Sequence, residues 1–206
     1  MQAPPNTVLL VIDAQASNFL PPPLGVPDGA ILLLALQRVL SIARAARDKP
    51  LIIHTTNPPD FFSSPLAHAH TPLSSPPASL HIPYPLPLRP LPSEPVVSTP
   101  KNNAFSHTRL FSLIPPGPNV LVVVVGCQTD FCIRATCSAA LDRRNQVVLV
   151  RGAHGTYDRM DVPTPGGRRR AAVRSRAPVV QGEIEAELEE AGVVLVDVED
   201  VEELFG

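Results

Sequence analysis

The segment NVLVVVVG, residues 119–126, constrains the fold more than any other stretch. Six consecutive valines and leucines, with no polar alternation, leave no face for water. A strand of this kind is stable only in a sheet covered on both sides, the usual setting of parallel strands. Four further runs have the same character: TVLLVID (7–13), PLIIHT (50–55), QVVLVRG (146–152) and GVVLVDV (192–198). PVVST (95–99) is a shorter sixth candidate.

Helical patterns fall between these strands. Residues 27–48 carry apolar side chains at Ile31, Leu34, Ala35, Val39, Ile42 and Ala46, close to helical spacing, and end in basic residues. Residues 129–144 place Ile133, Cys137, Ala140 and Leu141 on one face, with Thr129 or Asp130 as N-cap. GEIEAELEEAG (182–192) closes on a C-cap glycine. Strand and helix alternating in this way predict a doubly wound α/β fold. A length of 206 residues suits a single domain with a sizeable core.

Residues 57–100 break the alternation and hold thirteen of the twenty-six prolines. Proline stiffens a chain and cannot donate to a central ladder. The segment is therefore expected to be a long crossover over the surface, near the carboxyl edge of the sheet.

Charge points away from polyanionic partners. The formal net charge is −2, which gives no reason to expect nucleic acid or an anionic membrane. Five arginines fall within 168–176 and ten of nineteen acids follow Gln181, a pattern of solvated surface. No apolar run approaches the roughly twenty residues of a membrane span. The N-terminus enters its first strand without the pattern of a signal peptide. Three cysteines do not suggest a disulfide framework, so a reducing, cytoplasmic setting is expected.

In open α/β sheets, sites gather where strands end. Asp13 closes the first strand, Lys101 follows the short third strand, and Cys132 lies just past the fourth, at the start of a helix. The first-turn N–H groups and helix dipole favour an anion at Cys132, which would lower its pKa. Cys137 sits a turn further on and Cys127 lies in the connection itself; spacings of five do not match a zinc clip. Free cysteines are often buried and inert, so core filler is the competing role for Cys132. Asp13, at the end of a buried strand, is either a structural carboxylate or a general base within reach of the thiol.

LLVIDAQASNF, taken with VVVVGCQTDFCIRATCSAALDRRNQVVLVRGAHGT, resembles the isochorismatase-like cysteine hydrolases. That superfamily includes nicotinamidases, N-carbamoylsarcosine amidohydrolases and isochorismatases. The resemblance runs from about residue 7 to 155. It implies a three-layer, Rossmann-like α/β sandwich around a mainly parallel six-stranded sheet, and a triad of Asp13, Lys101 and Cys132. It further implies a non-proline cis peptide at Cys127–Gln128, with the backbone N–H groups of Gln128 and Cys132 forming an oxyanion hole. The implied activity is hydrolysis of a C–N bond in a small amide- or ureido-type substrate through a thioester. Alternatives are an isochorismatase-type enol-ether hydrolase, a catalytically altered binding protein, or a redox-sensing thiol protein. A homo-oligomer, dimer or tetramer, is implied by resemblance alone.

Three departures from the family pattern stand out. The family lysine precedes the Phe of its SAFxxTxL segment by about six residues. NNAFSHTRL matches that segment through Phe105, but Lys101 is four residues ahead and the six-residue position is Thr99. Lys101 is nevertheless the expected triad member. The Asp-x-His segment of metal-dependent relatives is missing from HTTNPPDFF; with His68 and His70 read as solvated, no metal and no cofactor are expected. The usual Asp-Ala after the fifth strand is Gly152–Ala153, followed by His154 and Tyr157, whose roles stay open. Phe19, Phe105 and Phe131 are candidates to line a substrate pocket, with Phe61 and Phe62 as further apolar walls; each could equally be core.

Overall fold

The computed structural model describes residues 6–21, 24–57, 84–160 and 174–205. The expectations for Phe61, Phe62, His68, His70 and most of the proline-rich and arginine-rich stretches fall outside these residues. The strands are β1 (Asn6–Ile12), β2 (Leu51–Thr56), β3 (Val96–Ser98), β4 (Val120–Cys127), β5 (Gln146–Gly155), β6 (Arg159–Met160), β7 (Arg174–Ser175) and β8 (Val194–Asp197). The helices are α1 (Gly29–Ala45), α2 (Leu110–Leu113), α3 (Arg134–Asp142) and α4 (Ala177–Glu190).

Six strands form one parallel sheet in the order β3-β2-β1-β4-β5-β8, while β6 and β7 make a separate antiparallel pair. The expected fold class holds: an α/β sandwich of three layers. The alternation of side chains along β1 shows the layering directly. Val8, Leu10 and Ile12 face one core with Ile133, Cys137 and Ala140 of the α3 segment and Ile184 and Leu188 of α4. Leu9 and Val11 face the other core, against Leu32, Leu36, Val39, Leu40 and Ala43 of α1. β4 divides its valines in the same way, Val122 and Val124 to one side, Val123 and Val125 to the other. This is why neither strand carries a polar position in its centre.

The order of strands reverses between β1 and β4, so the chain leaves these neighbours in opposite directions and opens a crevice at their carboxyl ends. Gly126, paired with Ile12, narrows the space there: a Cβ would stand 2.0 Å from the Ile12 carbonyl oxygen, and its φ is +120°. The absence of that Cβ lets the end of β4 close against the end of β1.

The structure corrects the expected face of α1. Ile31 and Leu34 are 66% and 65% exposed, and the buried stripe is Leu32, Leu36, Val39, Leu40 and Ala43. Apolar residues surround the first two turns, so more than one face satisfies helical spacing. Gly155 decides between them: its open α-carbon seats Leu32, whose Cδ2 lies 2.8 Å from where a Cβ would be. The C-cap expectation for α4 holds, with Gly192 at φ +107° and the Val193 N–H returning to the Leu188 carbonyl.

Candidate active site

Asp13 follows β1 at φ +46°, an uncommon conformation for a residue with a side chain, and its surroundings hold it there. The Thr55 hydroxyl accepts from the Asp13 N–H at 3.1 Å and donates to Oδ1 at 2.9 Å. Asn18 Nδ2 and the Gln15 N–H both donate to the Asp13 carbonyl, at 2.7 and 2.8 Å. The side chain is buried, and Oδ2 has no regular hydrogen-bond partner. Cys132, Asn57 and Thr99 act on the carboxyl through looser side-chain contacts. Burial pushes Asp13 up to about 6; these contacts and Thr55 pull the other way.

Cys132 comes from the opposite lip of the crevice. After β4 the Cys127–Gln128 peptide is cis, and Thr129–Ile133 form a single π-turn leading into α3. The N–H groups of Phe131 and Ile133 both donate to the Gln128 carbonyl, at 3.1 Å each. The Gln128 backbone N–H acts on the Cys132 thiol, opposing the rise in its pKa. Thr129 and Asp130, expected as helix caps, are used elsewhere. Thr129 Oγ1 meets His154 Nδ1 at 3.0 Å, while Asp130 accepts from Thr156 and pairs with Arg159 at 3.0 Å. They tie the turn to the end of β5 because a π-turn does not present the N-terminal geometry of a regular helix. The Cys132 thiol is buried beside Asp13, and burial first, then the carboxylate charge, raise its pKa well above the ordinary value. The expected lowering by the helix start is thus outweighed. The resting pair near neutral pH is a thiol beside a carboxylate, one proton between them.

A family model described as an isochorismatase domain matches residues 7–173, the span that contains both halves of this pair. The chain belongs to the isochorismatase family. Two curated streptothricin hydrolases from Streptomyces noursei are 35% and 33% identical over 173 and 169 residues. The alignments take in 84% and 82% of this chain but 64% and 56% of those proteins, so the chain spans less than two thirds of their length. Among solved structures, a cysteine hydrolase from Pseudomonas syringae superposes with a TM-score of 0.73 at 19% identity, covering 98% of this chain and 93% of that one. An isochorismatase from Pseudomonas putida gives 0.69 at 20% identity, covering 97% and 93%. These likenesses establish the shared fold.

Against the family pattern, the structure brings together two of the three expected triad residues. Lys101 is exposed, and the described side chains that act most on the Asp13 carboxyl are Cys132, Thr55, Asn57 and Thr99. Thr99, at the six-residue position before Phe105, is buried at that place instead. The pocket phenylalanines divide. Phe105 is buried in the core shared with α3 and α4, with the Arg143 guanidinium 4.7 Å from its ring centre, a packing role. Phe131, half-buried, packs on that same core from the turn itself, and Phe19 packs on the α1 side. Cys127 and Cys137 are fully buried, and all three cysteines are free thiols.

Residues that sequence reasoning left out surround both partners. Thr55 and Asn57, at the end of β2, complete the setting of Asp13, and the TTN run just past an apolar strand was their only signal. Behind them, buried His54 meets Glu94 at 2.9 Å, and Arg44 grips the same carboxylate through two 2.8 Å bonds. Burial lowers the His54 pKa, which keeps the ring neutral. Beyond the nucleophile turn, His154 is buried with Nε2 3.1 Å from Glu185, which also contacts Arg151. Its place is structural support for Thr129. Among the described residues no cluster of three His, Cys, Asp or Glu side chains could hold a metal, and no helix is long and apolar enough to cross a membrane.

Proposed function

We propose that this chain is a cysteine hydrolase that cleaves a C–N bond of a small amide- or ureido-type substrate through a thioester. The observation that carries the proposal is the buried Asp13 carboxyl beside the buried Cys132 thiol, at the crevice where the strand order reverses. A thiol with a raised pKa is a weak nucleophile by itself. A carboxylate with a pKa of about 6 at the same spot is a suitable acceptor for its proton.

In the proposed reaction, Asp13 takes the Cys132 proton as sulfur attacks the substrate carbonyl. The oxyanion is received by the backbone N–H groups of Gln128 and Cys132. Collapse breaks the C–N bond, and the departing amine takes the proton held by Asp13. Water, deprotonated by Asp13, then attacks the thioester carbonyl and releases the acid, and the proton returns to sulfur. Enol-ether hydrolysis would place the burden on the carboxylic acid and give the thiol no task, which is why the thiol-dependent reaction is preferred.

The curated relatives make streptothricin the first compound to assay, followed by a panel of small primary amides and ureido acids. The expected result is amine release by the parent chain, none by Cys132→Ala, and a mass-trapped acyl adduct on Cys132. Full turnover by Cys132→Ala would overturn the proposal.

A further inference from the structure

Sheet pairing ends one residue before the carboxylate. Ile12 is the last residue of β1 in register with β4, and Asp13 stands beyond the ladder at φ +46°. Left-handed backbone is disfavoured for a residue with a side chain, and it persists only where neighbours fix the peptide groups on both sides. On the amino side, the Asp13 N–H is held by the Thr55 hydroxyl at 3.1 Å. On the carboxyl side two donors reach the Asp13 carbonyl, the Gln15 N–H at 2.8 Å and Asn18 Nδ2 at 2.7 Å. Asn18 is itself fixed from three directions. Its N–H donates to the Gln15 carbonyl and its carbonyl accepts from the Val26 N–H, both at 2.9 Å. Its Oδ1 lies 3.4 Å from the Tyr157 hydroxyl, which also stands 3.1 Å from the Leu24 carbonyl. The Tyr157 ring, just past the end of β5, packs on the α1 side of the sheet. Inverting the Asn18 amide would set two acceptor oxygens 2.7 Å apart, so Nδ2 is the atom that faces Asp13.

We infer that Asn18 is the positioning residue of the reacting carboxylate: its amide, kept in place by Tyr157, holds the Asp13 backbone in the left-handed turn that seats the side chain in the crevice. This deepens the proposed function and rests on Asp13 and Cys132 being the reacting pair. Thr55 grips only the N–H ahead of the Asp13 α-carbon, which leaves the carbonyl side to be fixed by other groups. The Gln15 bond is local to the same turn and moves with it. Asn18 instead brings in Val26 and Tyr157, which lie on other segments. Among the described residues, the titratable groups facing Asp13 are Cys132 from the π-turn, Cys127 from β4 and Tyr84 from the segment before β3. The hydrogen bonds of Asn18 within the described residues go to none of these, so its influence passes through the position of Asp13.

The test follows two midpoints in the same protein. One is the 13C NMR titration of the Asp13 carboxyl, assigned by its loss in Asp13→Asn; the other is the pH profile of Cys132 alkylation by iodoacetamide. In the parent chain the two should coincide near 6. Asn18→Leu keeps the branched shape and removes both polar atoms. With the turn released, the carboxyl relaxes toward water, so its midpoint should fall by about 1–2 units. The thiol loses its proton acceptor, so its midpoint should rise by about 2 units toward that of a free cysteine, slowing alkylation at pH 7 by roughly tenfold or more. Tyr157→Phe should part the midpoints in the same sense by about half a unit. A residue that only supported the fold would lower Tm and leave the midpoints together. A shared midpoint kept by either folded variant therefore overturns the inference. Tyr157→Phe, which removes a single oxygen, decides the matter where Asn18→Leu does not fold. If Asp13→Asn alkylates with the parent profile, the thiol does not use the carboxylate and the proposed function falls. A lowered Asp13 midpoint in Asn18→Leu would in that case still uphold the hold of Asn18 on Asp13.

Discussion

Replacing Asp13 by asparagine should stabilise this protein while removing its activity, and the gain should depend on pH. Burial raises the folded-state pKa of Asp13 from 3.8 to about 6. A group whose pKa is raised on folding favours the folded state when protonated, and that contribution is lost as pH rises through the folded value. Below about pH 4 the carboxyl is neutral in both states and adds no charge penalty. Between pH 4 and 6 the unfolded chain ionises first, and above 6 the fold carries a buried charge. A shift of about 2 units corresponds to about 3 kcal/mol. Asparagine has no charge to desolvate and keeps an oxygen for the Thr55 hydroxyl that now bonds Oδ1 at 2.9 Å. Its stability advantage over the parent should therefore widen by about 3 kcal/mol from pH 4 to pH 8, or roughly 6–12 °C in Tm for a chain of this size. The assay is urea or thermal unfolding of both proteins at half-unit steps across that range. Turnover should fall at least 100-fold, as expected for loss of a general base. A stability gap that stays flat or narrows with rising pH would refute the account of Asp13 as a carboxylate whose burial costs stability once it ionises. Undiminished turnover would refute its catalytic role.

Three further outcomes follow from other parts of the structure. Glu94→Gln should destabilise the fold by about 3 kcal/mol, because it removes the charge facing Arg44 and one of the two oxygens that accept from its guanidinium. Burial opposes ionisation of Glu94, but Arg44, the Leu91 N–H and His54 outweigh it and hold the carboxyl at about 2. The penalty should be complete above pH 5 and shrink toward pH 2, as denaturant melts at several pH values would show. Gly126→Ala should prevent stable folding, since its methyl would stand 2.0 Å from the Ile12 carbonyl oxygen at a φ of +120°; a soluble variant with parental Tm would contradict the close approach of β4 to β1. Iodoacetamide should modify Cys132 with an apparent pKa near that of Asp13, while buried Cys127 and Cys137 stay unmodified in the native protein. Equal modification of all three, followed by peptide mass spectrometry, would show that the thiol beside Asp13 has no special reactivity.

Much of the fold was legible in the sequence because buried parallel strands leave an unmistakable local mark. A run such as Val120–Val125 admits one environment, and five such runs interspersed with helical patterns define the sandwich and place Asp13 and Cys132 at strand ends. Periodicity alone did not orient α1, because apolar residues surround its first turns; packing of Leu32 against Gly155 chose the face. Which of Thr99 and Lys101 is buried was likewise a tertiary decision. Counting back from Phe105 reached Thr99, whereas chemistry favoured the nearby lysine. The ladder between β3 and β2 turns Thr99 inward and leaves Lys101 in solvent. The protonation of the pair also lay beyond sequence reach. A helix start suggests a lowered thiol pKa, but desolvation beside a buried carboxylate depends on how completely two lips of a crevice exclude water. Local pattern determines which residues can form a strand, a helix or a turn. Which side chains share a low-dielectric space is set only when distant segments close on one another.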